Sequence, residues 1–178
     1  LWSLYTNLST AFETPTVTEL TNQETGAAGL NATLEPQRTR TVEVGTQAVF
    51  WGHLRADVSV FEATVLDELV PFDVPNQPGR RAFRNAGRTT RRGAEASLRG
   101  AWAWLDAGTA YTWSRFRFDR YNVGSTSFAG KPIPGVPEHY LQTFATVRRK
   151  ALFATAEVTA ASRASANDAA TVFGSGFA

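Results

Sequence analysis

Two histidines are the side chains best suited to acid–base catalysis or metal binding in this chain of 178 residues. His53 lies in a short turn-like stretch, and His139 directly follows Glu138. A nucleophile–histidine–carboxylate triad needs partners that converge in space, and no spacing in the sequence indicates one. Metal ligation needs clusters of His, Cys or carboxylate groups at ligand spacing, and Cys is absent. We therefore expect no enzymatic site, no metal and no cofactor.

Arginine is the other chemically distinctive residue, because 16 of the 18 basic side chains are Arg. The densest run lies in AFRNAGRTTRRGAEASL, residues 82–98, which contains Arg84, Arg88, Arg91 and Arg92. Guanidinium groups suit planar, bidentate contacts with carboxylates and phosphates. The formal net charge of +2 is too small to argue for a nucleic-acid partner. The run therefore indicates either a local anion contact or a solvated face.

Alternation of apolar and polar residues dominates the chain and indicates β-strands. Every second residue is apolar or small in six stretches: 42–50, 54–60, 94–98, 105–113, 141–147 and 152–158. Residues 1–12 form another predicted strand, and we interpret the Ala-rich segment 156–171 as strand rather than helix. No apolar run approaches the ~18 residues of a membrane-spanning helix. The pattern predicts an all-β, antiparallel fold of about seven or eight sequential strands.

Short and long connections alternate strictly between these strands. The short ones cover 51–54, 100–104 and 148–150, and the long ones cover 13–37, 71–84 and 119–138. Transmembrane β-barrels combine short periplasmic turns with long extracellular loops in this way. Trp51, Trp102 and Trp104 all lie at short turns, as expected for an aromatic girdle at a membrane interface. The alternative is a soluble β-sandwich binding module, in which tryptophans near turns fill the core.

Four short motifs follow one another along the chain. They lie in LYTNLSTAFETPTVTEL through Phe12, Pro15, Thr16, Glu19 and Leu20; in LNATLEPQRTRTVEVG through Asn31, Leu34, Pro36, Glu43 and Gly45; in RNAGRTTRRGAEASL through Asn85, Gly87, Gly93 and Glu95; and in GKPIPGVPEHYL through Pro134, Pro137 and His139. In this order and at this spacing they resemble the barrel domain of TonB-dependent outer-membrane receptors over residues 1–163. Glu13, Ala32 and Gln37 depart from the family pattern.

The resemblance implies a 22-stranded barrel, closed by a plug domain, that takes up an iron chelate (siderophore), cobalamin or a similar nutrient with energy delivered through TonB. Residues 1–178 are then expected to be a single segment of a larger barrel in the bacterial outer membrane. The implied partners are the plug domain, the remaining strands, TonB through the missing N-terminal part, outer-membrane lipid and a small-molecule nutrient, with no nucleic acid. A complete small outer-membrane barrel with an adhesion or structural role stays open.

Two groups of residues are predicted to contact ligand or lipid. The long loops, where binding residues commonly lie, supply five aromatic and cationic candidates for ligand contact: Phe72, Arg80, Arg81, Phe83 and Tyr121. Arg88 and Arg92 share the parity of the apolar alternation at 94–98 and are expected to point outward. Ten residues separate Arg92 from Trp102, a rise of roughly 25 Å in a tilted strand. This height predicts contact with lipopolysaccharide phosphates, unless the stretch is a solvated strand extension.

Polar residues of the opposite parity are expected to face the lumen of the barrel: Glu43, Gln47, Arg55, Asp57, Glu95 and Arg99. They would contact a plug domain or a ligand path, or pair across neighbouring strands, for example Arg55 with Glu43 and Glu95 with Arg99. Glycine inside a strand often marks a β-bulge, so a bulge near Gly93 would reverse this division of the faces.

Overall fold

Seven long strands form one antiparallel sheet in the computed structural model, which describes residues 1–23, 25, 29–74 and 76–178. The long strands are β1 (Trp2–Glu13), β2 (Gln37–Phe50), β3 (Leu54–Asp73), β4 (Arg81–Ala101), β5 (Leu105–Arg120), β8 (His139–Arg149) and β9 (Leu152–Ala161). The two-residue strands are β6 (Asn122–Val123), β7 (Thr126–Ser127), β10 (Ala164–Ser165) and β11 (Phe173–Gly174). Each long strand pairs with the next long strand, so the predicted up-and-down order is confirmed. Because these strands lie in one sheet, they do not form a β-sandwich.

The three predicted short turns are confirmed, at 51–53, 102–104 and 150–151. The backbone is left-handed at Trp51 (φ 51°), Gly52 (φ 73°) and Lys150 (φ 55°), a conformation that tight hairpin turns require. We call the end of the strands at which these turns lie the short-turn end, and the opposite end of the strands the long-loop end. The side chains of Trp51, Trp102 and Trp104 are all exposed at the short-turn end.

Two of the three long loops have the predicted extent. The first contains a helix, α1 (Val17–Thr21), whose start is capped reciprocally by Thr16 and Glu19. No helix within the described residues is long and apolar enough to cross a membrane. The third loop holds the β6–β7 hairpin. Residues 24, 26–28 and 75 of the predicted loops lie outside the described residues.

The long loop predicted at 71–84 is wrong. Strand β3 extends to Asp73 and β4 begins at Arg81, so the connection covers only 74–80. Pro71 suggested a loop, but it pairs with Phe83 inside the hairpin. A proline can occupy a strand wherever its missing N–H is not needed by the neighbouring strand.

The Ala-rich tail is strand only in part, because β9 ends at Ala161. Beyond it, the Asn167 side chain accepts hydrogen bonds from the backbone N–H groups of Thr171 (3.0 Å) and Val172 (3.3 Å). Such side-chain bonds compete with a strand ladder. The prediction of strand over 156–171 is therefore right to Ala161 and wrong over most of the remainder.

The register divides the sheet into two chemically different faces. One row of cross-strand partners is Thr46, Val58, Ala96, Tyr111 and Leu141, and the next row is Gly45, Ser59, Glu95, Thr112 and Tyr140. We call the first the apolar face and the second the polar face. The predicted division is confirmed: the apolar face holds Val42, Val44, Val58, Ala96, Leu98, Tyr111 and Val147, and the polar face holds Glu43, Asp57, Glu95 and Thr112.

Large apolar side chains on the apolar face are exposed rather than packed. Leu4 is 66% exposed, Val58 48% and Val158 53%, on three different strands. An apolar surface that extends across a whole sheet marks contact with lipid or with another protein surface. The fold therefore places its packed core elsewhere.

The alternation of the β3–β4 hairpin reverses at Asp67 and Gly87. Toward the short-turn end the buried positions have odd numbers, among them Ala63, Val65 and Thr89; toward the long-loop end they have even numbers, among them Val70, Ala82 and Ala86. The β3–β4 pairing skips Asp67 and Gly87, and Asp67 has a positive φ of 57°. The part of the hairpin between Asp67 and Gly87, which we call the upper hairpin, therefore turns its even-numbered side chains toward a buried cluster. The cluster consists of Val70, Ala86, Phe118 and Tyr121, flanked by Val123, Phe128 and Ile133.

Candidate functional site

Two carboxylates lie in neighbouring rows of the polar face. Glu43 pairs with Phe61 in one row, and Glu95 pairs with Ser59 in the next. The Tyr5 hydroxyl donates a hydrogen bond of 3.0 Å to Glu43 Oε1. The motif residues around Glu43 and Glu95 therefore meet in space although 52 positions separate them along the chain.

Glycines in the same two rows lie beneath aromatic rings. The Tyr5 ring lies over its partner Gly45, and the Phe61 ring lies over its partner Gly93. A β-carbon at either glycine would overlap the ring above it. Covering a strand glycine with a cross-strand aromatic ring stabilises the pair and keeps the ring flat against the sheet. The glycines of the two motifs thus shape the surface around the carboxylates.

The predicted ion pairs between Arg55 and Glu43 and between Glu95 and Arg99 are wrong. Arg55 instead bonds to Asp57 (2.9 Å), two residues along its own strand, and Arg99 bonds to Asp106 (3.1 Å). Side chains two residues apart in a strand share a face, so Asp57 is the nearer acid. Within the described residues, no ion pair reaches Glu43 or Glu95. Glu95 and the Glu43 carboxylate oxygen that Tyr5 does not use are therefore able to accept bonds from another surface.

The described part of the chain holds no group of three or more His, Cys, Asp or Glu side chains placed to bind a metal ion. The two histidines are also far apart in the fold. His53 lies in the turn after β2, whereas the His139 imidazole Nδ1 lies 2.7 Å from the Tyr111 hydroxyl at the start of β8.

The long-loop end carries a buried aromatic cluster. The Tyr121 ring lies 4.9 Å from the Phe118 ring and 5.3 Å from the Phe128 ring, and only 3% of Tyr121 is exposed. Burial, with the Asp168 carboxyl nearby, raises the pKa of Tyr121 to about 12. Burial also raises the pKa of Asp168, against the opposing effects of the Tyr121 hydroxyl and the Arg84 guanidinium. These groups connect the tail to the β3–β4 hairpin.

Beside this cluster lies an open cleft of about 420 Å³. Its lining includes Phe72, Asp73, Arg81, Phe118, Ile133 and Asp168. The Arg84 guanidinium lies 3.4 Å from the centre of the Phe72 ring, a cation–π contact. Arg84 Nε is buried without a hydrogen-bond partner. The cleft therefore combines aromatic, cationic and acidic groups at one place.

The structure brings two of the five predicted ligand residues together, since Phe72 and Arg81 both line the cleft. Arg80 instead bonds to Gln77 (2.6 Å) and to the carbonyl of Gln23 (2.8 Å). Phe83 pairs with Pro71, so its side chain points away from that of Ala82. Tyr121 is packed inside the aromatic cluster.

Sequence reasoning missed Arg84 and Asp168 near this cleft. The reversal at Gly87 gives Arg84 the parity of the buried Ala82 and Ala86, but no periodicity in the sequence gives a signal of that reversal. Asp168 carried no signal either, because it reaches the cleft from an irregular tail.

Arginines gather on the apolar face toward the long-loop end. Arg92 Nε bonds to Glu62 (2.6 Å), and Arg88 Nε lies 3.2 Å from Asp119. Both side chains lie on the face predicted from their parity. The bulge considered near Gly93 is absent from the pairing, and the β4–β5 register shifts between Arg88 and Thr89 instead.

Comparisons with known proteins agree with this architecture. A family model described as TonB dependent receptor-like, beta-barrel, matches residues 1–175. The siderophore receptor PiuA from Acinetobacter baumannii matches with TM-score 0.72 and 19% identity, over 99% of this chain and 26% of that chain. The ferric yersiniabactin uptake receptor FyuA from Yersinia pestis matches with TM-score 0.71 and 16% identity, over 99% and 26%. The copper transporter OprC gives 0.75 and 14%, over 99% and 27%. The chain thus spans about a quarter of these structures, and identities this low show a shared fold alone.

Proposed function

The chain belongs to the TonB-dependent receptor family, and from this premise we propose that it is part of an outer-membrane receptor for energy-dependent uptake of a small nutrient such as an iron chelate. The observation that carries the proposal is the division of the sheet into an exposed apolar face and a polar face whose carboxylates Glu43 and Glu95 form no ion pair within the described residues. Strands of a membrane barrel alternate apolar side chains, which contact lipid, with polar side chains, which face a water-filled or plugged lumen.

Residues 1–178 are proposed to act as a single segment of a larger barrel. Strands β1 and β9 form the two edges of the seven-stranded sheet. Edge strands present unpaired backbone groups, and further strands would close them into a barrel. The similar receptor structures are about four times as long as this chain, which supports the proposal that it is one segment of a larger barrel. The segment is proposed to act as a receptor component rather than as an enzyme.

The polar face is proposed to contact a plug domain, which occupies the barrel in this family. Glu43 and Glu95 form no ion pair with the described residues. The rings of Tyr5 and Phe61 lie flat against the sheet over Gly45 and Gly93 and leave the surface between them open. Such a surface suits amide and cationic donors on the partner. TonB would act through the plug rather than through these strands.

The cleft at the long-loop end is proposed to contact the nutrient. Phe72 and Arg81 offer an aromatic surface and a cation, which suits an anionic or aromatic chelate. Arg80 is proposed to stabilise the turn before β4 through its bonds to Gln77 and Gln23. Tyr121 is proposed to support the cleft by packing in the aromatic cluster beside it. Phe83 is proposed to cover the face of the hairpin that points away from the cleft.

The proposal is tested by uptake measurements on a strain from which the gene of the full-length receptor has been deleted. Growth under iron limitation and entry of labelled ferric chelates from a panel are measured, with the restored gene as the control. We expect entry of at least one chelate to be lost and to return with the gene. Recovery of the protein outside the outer-membrane fraction, together with unchanged uptake of every chelate, would contradict the proposal.

A further inference from the structure

Two arginines face each other directly across β4 and β5 on the apolar face. Arg92 and Arg115 are cross-strand partners, and Thr90 pairs with Arg117 one step nearer the long-loop end. Like charges directly opposite in a sheet destabilise it unless an anion compensates them. Glu62 compensates Arg92, but no ion pair reaches Arg115 within the described residues.

A second arginine pair, on the polar face, shows what compensation looks like in this chain. Arg55 and Arg99 are also direct partners, yet Asp57 neutralises the first and Asp106 the second. Both arginines of the polar-face pair thus have a carboxylate partner, whereas Arg115 of the apolar-face pair has none among the residues that the structure describes.

The surplus of positive charge extends over four strands. The set on this face, which we call the arginine belt, contains six arginines and two acids: Arg38, Arg40, Arg88, Arg92, Arg115, Arg117, Glu62 and Asp119. Six cations less two carboxylates leave a net charge of +4. Arg117 Nη1 donates a hydrogen bond of 2.6 Å to the Gly130 carbonyl, while Arg117 Nε is buried without a hydrogen-bond partner.

The arginine belt begins one row beyond the exposed apolar surface. Val60, Ala94 and Trp113 form the adjoining row, and Trp113 Nε1 donates to Glu138 at 3.4 Å. Tryptophan favours the boundary between lipid tails and headgroups. An outward arginine costs little at such a boundary, whereas it is strongly destabilising at the midplane of the bilayer.

We infer that the arginine belt binds the phosphate groups of outer-leaflet lipid, which in a bacterial outer membrane is lipopolysaccharide. The inference rests on the outer-membrane location proposed above. An open cleft of about 280 Å³ leaves room for a phosphate; its lining comprises four arginines, two carboxylates and one threonine: Arg88, Arg92, Arg115, Arg117, Glu62, Asp119 and Thr90. Guanidinium groups bind phosphate through paired N–H donors, and the apolar rows below would contact the acyl chains of the same lipid.

The test uses the full-length receptor that contains this segment, extracted from outer membranes in mild detergent. The variant Arg92→Glu with Arg115→Glu reverses two charges of the belt, and Arg55→Glu with Arg99→Glu reverses two on the polar face. Lipopolysaccharide retained per receptor is measured from its hydroxy fatty acids by mass spectrometry. We expect an about tenfold loss in the belt variant, the effect of one charge-assisted contact, and wild-type retention in the control.

The single variant Arg115→Gln guards against failure to fold, because it removes a charge that has no carboxylate partner, and it should retain less lipid than wild type. A second arm adds lipid A, or lipid A without its phosphates, to delipidated receptor. Intact lipid A should bind, and an excess of inorganic phosphate should displace it only in part.

Equal binding of the dephosphorylated lipid would overturn the inference, and so would equal losses in the belt and polar-face variants. Complete displacement by inorganic phosphate would assign the site to free phosphate instead. A receptor in the outer membrane with unaltered lipid retention contradicts only this inference, whereas a receptor found outside that membrane contradicts the proposed function first.

Discussion

The Arg91 guanidinium lies 2.6 Å from the Glu68 carboxylate, beside the positions where β3 and β4 reverse their alternation. Glu68 is only 8% exposed, and it also accepts a hydrogen bond from the buried Thr89 hydroxyl. One carboxylate below the upper hairpin therefore satisfies two donors of β4. This contact holds together the two halves of the hairpin, which bury side chains of opposite parity.

Substitution of Glu68 is expected to destabilise the full-length receptor. Glu68→Ala leaves Arg91 and Thr89 without their acceptor, and leaving buried donors unpaired costs about 1–3 kcal/mol. Unfolding by denaturant, followed on heat-modifiability gels, measures the change. Arg81→Ala is the matched control, since its ion pair with Asp73 is exposed on both sides and should contribute about 0–1 kcal/mol. Equal effects of the two substitutions would contradict the structural role of Glu68.

The ring over Gly93 should make that position intolerant of any side chain. Gly93→Ala is expected to cost about 1–3 kcal/mol, because the added methyl overlaps the Phe61 ring. In the double variant with Phe61→Ala the overlap with the ring is removed, although the close contact with the Trp113 carbonyl oxygen remains. The combined loss should therefore be smaller than the sum of the single losses but should not vanish. Unfolding free energies of the four proteins form the cycle. Additive losses would show that ring and glycine do not interact.

Asp168 should make the attachment of the tail depend on pH. Burial raises the pKa of Asp168 in the folded protein. Its stabilising contribution is therefore fully present below the unfolded pKa and is lost as the pH rises through the folded pKa. Asp168→Asn should remove this loss, so its tail should resist proteolysis better than wild type at neutral pH but no better under acid conditions. A variant with the wild-type pH profile would contradict the burial of this carboxyl.

Uptake of the nutrient should depend on Phe72 more than on Phe83. Phe72→Ala removes an aromatic wall of the cleft and the ring that the Arg84 guanidinium covers. Loss of such contacts should lower uptake of the labelled chelate about tenfold. Phe83→Ala removes the same ring in the same hairpin, but on its outer side, and uptake should change less than about twofold. The reverse order of effects would place the ligand path outside the cleft.

Much of the fold follows from local sequence patterns. Period-2 alternation located the long strands, and the short turns determined which strands are neighbours. The division of faces at Val58 and Glu95 then followed from parity alone. The motif residues Gly45 and Gly93 could be recognised in the sequence, but the rings of Tyr5 and Phe61 above them depend on the register between strands.

The remaining features depend on geometry that no local pattern records. The alternation reverses at Asp67 because that residue adopts a positive φ, which few side chains favour and no periodicity reveals. The reversal then changed the meaning of parity for Phe83 and Arg84. The ion pair of Arg55 with Asp57 is different, because the spacing of two residues within one strand was visible in the sequence and predicts a shared face.

Spin labelling of β4 measures most directly which of its side chains face lipid. This segment contains no Cys. In a full-length receptor from which any other cysteines have been removed, single cysteines at positions 94 to 99 can each carry a spin label. Collision with oxygen, which concentrates in lipid, is compared with collision with a water-soluble nickel complex. We expect oxygen accessibility to peak at positions 94, 96 and 98 and to fall at 95, 97 and 99. Accessibility with the opposite phase, or without a period of two, would contradict the assignment of the apolar face to lipid.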